Sequence, residues 1–156
     1  MAKEVQVCDL GAYKLYEKAY TINKMIKADW NYAGLSHIGV MTKDSPYDNY
    51  CTTIGEKGHA SLVTFYTNKA GYVSKITIFC KCNDSLSERI MGMTLGNILI
   101  SLGLNENEFK VITNVNKWRS RGTTDVWGSR INRRIVLEFF TEKNKLNVVR
   151  ITAFDS

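Results

Sequence analysis

One stretch, Ser61–Phe79, limits what this chain can fold into, because the chain writes its pattern twice. Apolar and polar residues alternate on both sides of Asn68–Gly71. A period of two sends successive side chains to opposite faces of a strand, and Asn with Gly between two such runs favours a tight turn, so the stretch reads as a β-hairpin. Val136–Lys143 repeats the order of residue types in Leu62–Lys69, and Val149–Phe154 repeats Ser74–Phe79, with the extra residue falling in the turn.

Each hairpin is preceded by a helical pattern. Ala12, Leu15, Tyr16, Ala19, Ile22 and Ile26 share one face of a helix predicted over 9–28, with Asp9 as its N-cap. Strands are predicted near 35–42, 49–54, 61–67 and 72–81. The second half opens at Asp84. Ser85 and Glu88 have capping-box spacing, and Met91, Leu95, Ile98, Leu99 and Leu102 form the buried stripe of a helix ended by Gly103. Gly92 and Gly96, one turn apart, are expected to let that helix approach the sheet. Strands follow near 109–116, 124–128, 133–140 and 147–154. In the alignment of the halves, Leu35–Lys43 falls on Phe109–Lys117 and Ile54 falls on Trp127. The expected fold is α+β: one domain built by internal duplication, with repeats at about 9–82 and 84–156. Each repeat is a helix followed by a three- to four-stranded antiparallel meander, and the helices pack on one face of a curved sheet.

The same period assigns the strand faces. Val63, Phe65, Ile76, Ile78, Leu137, Phe139, Ile151 and Ala153 fall on the face toward the helices. The opposite face receives Thr64, Tyr66, Lys75, Thr77 and Phe79, then Glu138, Phe140, Arg150, Thr152 and Phe154. Aromatics interleaved with charges, on a face that no predicted element covers, have the composition of a protein-binding surface. Cross-strand pairing within a half-solvated sheet is the competing explanation.

Composition narrows the function classes. At 156 residues, 44% hydrophobic and 23% charged, the chain has the make-up of a globular domain with a sizeable core. No run approaches the roughly 18 apolar residues of a membrane helix, and Met1–Glu4 lacks the apolar core of a signal peptide. The chain as written is expected to be cytoplasmic, or secreted if a signal has been removed. Cys8, Cys51, Cys80 and Cys82 are too few for a disulfide scaffold and are expected as free, partly buried thiols, with a bridge from Cys8 to Cys80 or Cys82 as the alternative. The net charge of +6 is concentrated in residues 117–134, where Lys117, Arg119, Arg121, Arg130, Arg133 and Arg134 face a single acid, Asp125.

A helix and meander present twice, with hairpins at Phe65–Ile76 and Phe139–Ile151, resembles the tandem repeats of the β-lactamase-inhibitor-protein-like group and the related small outer-membrane-assembly lipoprotein domains. The resemblance implies a non-enzymatic protein whose concave sheet grips a partner. The cysteine placement and the basic 117–134 segment depart from that group, so the partner does not carry over.

No catalytic pattern competes with this reading. His37 and His59 lie at no metal-ligand spacing from the cysteines, and Cys80-Lys-Cys82 lacks the second pair that a zinc site needs. Gly55–Gly58 matches the G-x-x-G loop that clamps nucleic acid, but its flanks read as strands, which makes it a hairpin turn. The expectation is a non-catalytic binding factor of inhibitor or immunity type, without cofactor or metal, gripping an acidic surface on another protein. Tyr66, Lys75, Phe79, Phe140, Arg150 and Phe154 would act from the sheet, with Trp118, Arg119, Arg121 and Arg130 from the basic segment. The alternative is nucleic-acid binding through 117–134, with arginines on phosphates and Trp118 or Trp127 stacked on a base. In a third reading of that segment, Trp127 is core, as its alignment with Ile54 suggests, and the arginines are a solvated strand face.

Overall fold

The computed structural model describes residues 2–25, 31–39, 47–56, 59–81, 84–113, 122–142 and 145–156. Alternation becomes strand as expected in both hairpins. Strands β1 (Glu4–Val5), β2 (Asn31–Tyr32), β3 (Ser36–Gly39), β4 (Asp48–Glu56), β5 (His59–Thr67) and β6 (Val73–Phe79) belong to the first half. Strands β7 (Gly122–Gly128), β8 (Arg133–Glu142) and β9 (Lys145–Phe154) belong to the second. All the pairings are antiparallel and make one open, curved sheet of order β2-β4-β5-β6-β9-β8-β7, with β1 added beside β9 and β3 beside β4. The two meanders therefore lie back to back, joined by their last strands. At the join Ile76 faces Ile151, Ile78 faces Val149 and Phe79 faces Val148.

Helices α1 (Ala12–Met25), α2 (Ser85–Leu102) and α3 (Glu106–Ile112) cover one side. Val63, Phe65, Ile76, Ile78, Leu137, Phe139, Ile151 and Ala153 are all buried beneath them, with Leu15, Met91, Leu95, Ile98 and Leu99, in one continuous core. Each such large side chain contributes roughly 1.5–3 kcal/mol by leaving water. The α1–α2 contact also carries a polar link: Asn97 Nδ2 donates to Tyr32 Oη at 3.1 Å and to Asn23 Oδ1 at 3.5 Å. Cys8 and Cys51 are free thiols, Cys8 and Cys80 are buried, and Cys82 lies outside the described residues.

Several local expectations are corrected. The strand near 109–116 is helix α3 as far as Ile112; 114–116 lie outside the described residues. Asn105 and Glu108 close a capping box there, each side chain accepting the other's backbone N–H at 2.9 Å. That local device outweighs the strand-like run Phe109–Ile112. Phe109 then packs on Gly96, where an added Cβ would lie 3.4 Å from its ring, so Gly96 admits α3 rather than the sheet. Asp84, not Ser85, caps α2 by accepting Ser87 N–H at 2.8 Å. Asp9 caps nothing: it accepts from Gln6 and Arg133, and α1 begins three residues later. Gly103 ends α2 with φ 103°, as its position predicts. The order of helix then meander recurs, but the halves are not copies in detail, because β3 has a helix, α3, at its aligned position.

Two outcomes follow for stability. Ile151→Ala empties the buried join and should cost about 2–5 kcal/mol, read as a lower urea midpoint at unchanged m-value. Glu108 is pushed up by burial, but the N–H groups of Asn105 and Ser129 outweigh this and hold its carboxyl below the usual range. Its stabilisation is then present above the ordinary glutamate value of about 4.3 and lost as pH falls through the lowered one. Glu108→Gln should melt earlier than the parent near neutral pH, and the gap should close on acidification. A gap independent of pH would contradict this account.

Candidate partner-binding face

The sheet's outer face carries no helix among the described residues. Register makes it a grid. Leu62 faces Phe79, Phe79 faces Val148, and Val148 faces Phe140, an apolar row across four strands. Leu62 is 38% and Phe79 43% exposed, high for residues of this size in a sheet interior. The next row runs Thr64, Thr77, Arg150, Glu138 and Thr123. Arg150 lies over the Phe140 ring at 4.9 Å and 3.9 Å from the Glu138 carboxylate. A third row brings Lys75 beside Tyr66, with its ammonium 4.5 Å from that ring and 5.2 Å from Tyr47. Phe154 sits between Glu4 and Arg134 at the far end.

Of the residues expected to bind a partner, Tyr66, Lys75, Phe79, Phe140, Arg150 and Phe154 share this outer face. Trp118, Arg119 and Arg121 lie outside the described residues. Arg130 is displaced from the face: it follows β7 in the turn to β8 and lines a cleft on the helix side with Cys8, Lys18, Ser101 and Arg133. Trp127 is not the counterpart of buried Ile54. Ile54 points inward, whereas Trp127 is half-buried on the outer face opposite Arg134, whose guanidinium lies 5.8 Å from its ring. Leu62 and Val148 were missed, although their parity with Phe79 and Phe140 would have found them.

The arginines after β7 are largely committed. Arg134 Nη1 meets Asp125 Oδ2 at 2.8 Å, and Arg133 donates to the carbonyl oxygens of Gln6 and Ile131 and to Asp9. Of the segment's described arginines this leaves Arg130 outside such pairs. The Gly55 region is a hairpin between β4 and β5, as expected, with φ 147° at Gly55.

Beside the apolar row, Phe79 borders a cleft of about 280 Å³ shared with His59, Cys80, Asp84 and Ser87. His59 Nε2 lies 3.0 Å from Asp84 Oδ2. A Cys, a His and an Asp are thereby gathered, but two of them serve the start of α2. The Cys80 thiol donates to Ser87 O at 3.6 Å, and the Ser87 N–H, aided by His59, holds the Asp84 carboxyl below its usual range. Among the described residues no three His, Cys, Asp or Glu side chains are grouped to hold a metal ion. No helix among the described residues is long and apolar enough to cross a membrane.

Compared with known proteins, the chain matches no family model, no curated protein and no solved structure.

Proposed function

We propose that this chain is a non-catalytic protein-binding factor, of inhibitor or immunity type, that works through the outer face of its sheet. The observation that carries the reading is the row Leu62–Phe79–Val148–Phe140, apolar across four strands and open to water at Leu62 and Phe79. Cross-strand pairing alone leaves Leu62 and Phe79 open to water, and burying the row against a second protein supplies the main gain in contact energy. The neighbouring residues set the partner's chemistry. Lys75 rests on tyrosine rings rather than on a carboxylate, and Arg150 holds Glu138 only at 3.9 Å. Both cations are placed to meet acidic groups around an apolar contact, and the net charge of +6 favours approach to such a surface. The resemblance to inhibitor-like tandem repeats points the same way.

The test is capture by the purified protein from an extract of its own source. A stoichiometric protein partner should be retained by the parent and by the helix-side control Val111→Asp, and lost with Phe79→Asp. Lys75→Glu should weaken the complex and reduce its dependence on salt, by roughly tenfold if it forms one charge-assisted contact. Recovery of no such partner sinks the proposal, as does a complex indifferent to Phe79→Asp. Salt-dependent binding to generic DNA or RNA in its place would move the function to the 117–134 segment.

A further inference from the structure

The helix-side cleft is a separate feature that the outer-face reading leaves unused. It measures about 250 Å³ and is walled by three cations, Lys18 from α1, Arg130 from the β7–β8 turn and Arg133 from β8, against one acid, Asp9. We infer that this cleft binds a phosphate-type dianion, either free phosphate or a phosphomonoester group.

The cations are held there by the fold. Glu108 Oε2 accepts the Ser129 N–H at 2.7 Å and anchors the turn to α3, while Asn132, at φ 54°, donates its N–H to Gly128 O at 2.8 Å. Arg133, with its side chain only 13% exposed, donates to Ile131 O, Gln6 O and Asp9. Arg133 is thus fixed by its own partners and contributes its field. Lys18 and Arg130 make no hydrogen bond or ion pair among the described residues, and both stay exposed to meet a ligand.

Charge selects the ligand class. The last turn of α2 ends at Leu102 in the same cleft and contains no basic residue, so its negative pole, worth about half a charge, is one reason for cations here. With Asp9 subtracted as well, the walls keep a surplus of about one and a half positive charges. Glu108 is not in the lining; it accepts two backbone N–H groups, and its charge also acts on Arg130 from outside the cleft. A phosphate group near neutral pH carries about −1.5 to −2, which answers the surplus of the lining. Arg130 offers a planar fork for two of its oxygens and Lys18 a point charge for a third. The volume is below the roughly 300 Å³ of the smallest drug-sized pockets, which suits a single tetrahedral group.

Inorganic phosphate is the probe, titrated into the isotopically labelled protein at constant ionic strength with chloride as the counter-titrant. Saturable shifts are expected at the backbone amides of Leu10, Leu102 and Ile131. Lys18→Gln and Arg130→Gln should each weaken binding by about tenfold while remaining folded, since neither side chain supports the fold. O-phosphoserine in a second arm separates the sources: equal or tighter binding assigns a phosphomonoester, and exclusion assigns free phosphate. Shifts that chloride reproduces overturn the inference, and so does failure to saturate or unchanged affinity in both variants. If the variants only lower the melting temperature, the cations serve the end of α2 and nothing else.

Discussion

The antiparallel join of β6 to β9 is the contact on which the rest of the molecule depends. Ile76 against Ile151 and Ile78 against Val149 are buried on the side facing α2, and they fix which way every neighbouring residue points. Side chains alternate strictly along a strand, so the register that buries these four also places Phe79 beside Val148 and Thr77 beside Arg150 on the opposite side. A slip of β9 by one residue would push Val149, Ile151 and Ala153 toward water and turn Arg150 toward the core. The outer apolar row is therefore a consequence of the buried pairing. It joins Leu62 and Phe140, which belong to different halves of the chain and would be unconnected if the meanders met along any other strands.

What could be read from the sequence follows the strength of each local signal. The period of two in the hairpins is long and regular, and every inward position that it assigned, from Val63 to Ala153, is buried. The α2 stripe read equally well because Met91 to Leu102 spans several turns. Helix α3 did not: seven residues are too few for periodicity to separate helix from strand, and the deciding signal was the pair Asn105 and Glu108 rather than the apolar run. Equating Trp127 with Ile54 failed for a related reason. An alignment that drifts by one residue in a strand changes the face, and Trp127 went out with Arg134 while Ile54 went in. The side on which Arg130 lies was not legible at all, because a turn residue takes its direction from tertiary anchors, here the Glu108 bond to Ser129.

Net charge was the least transferable clue. The cluster between 117 and 134 reads as one basic patch, yet the described arginines within it are dealt to different sites. Arg134 goes to Asp125 on the outer face, Arg133 to Asp9 and the N-terminal segment, and Arg130 to the cleft beside α2. Exposed ion pairs of this kind add little stability, typically under about 1 kcal/mol each. Their larger effect is to remove charge from the surface available to a ligand. Lys75 on the outer face and Lys18 beside the cleft keep their charge available, Lys75 over tyrosine rings and Lys18 in the same cleft as Asp9.

The two candidate surfaces meet in β8. Arg133 and Arg134 are consecutive and therefore point to opposite faces, the first into the helix-side cleft and the second beside Trp127 on the outer face. A ligand on one face need not touch any side chain used on the other, so substitutions at Lys18 and at Phe79 should act independently unless the strand itself moves. The β7–β8 turn is the element able to couple them. It is pinned by Glu108 at Ser129 and by the left-handed Asn132, and its residues lead directly into both arginines. A turn held by one carboxylate and one strained residue can shift at lower cost than the buried pairs at the join.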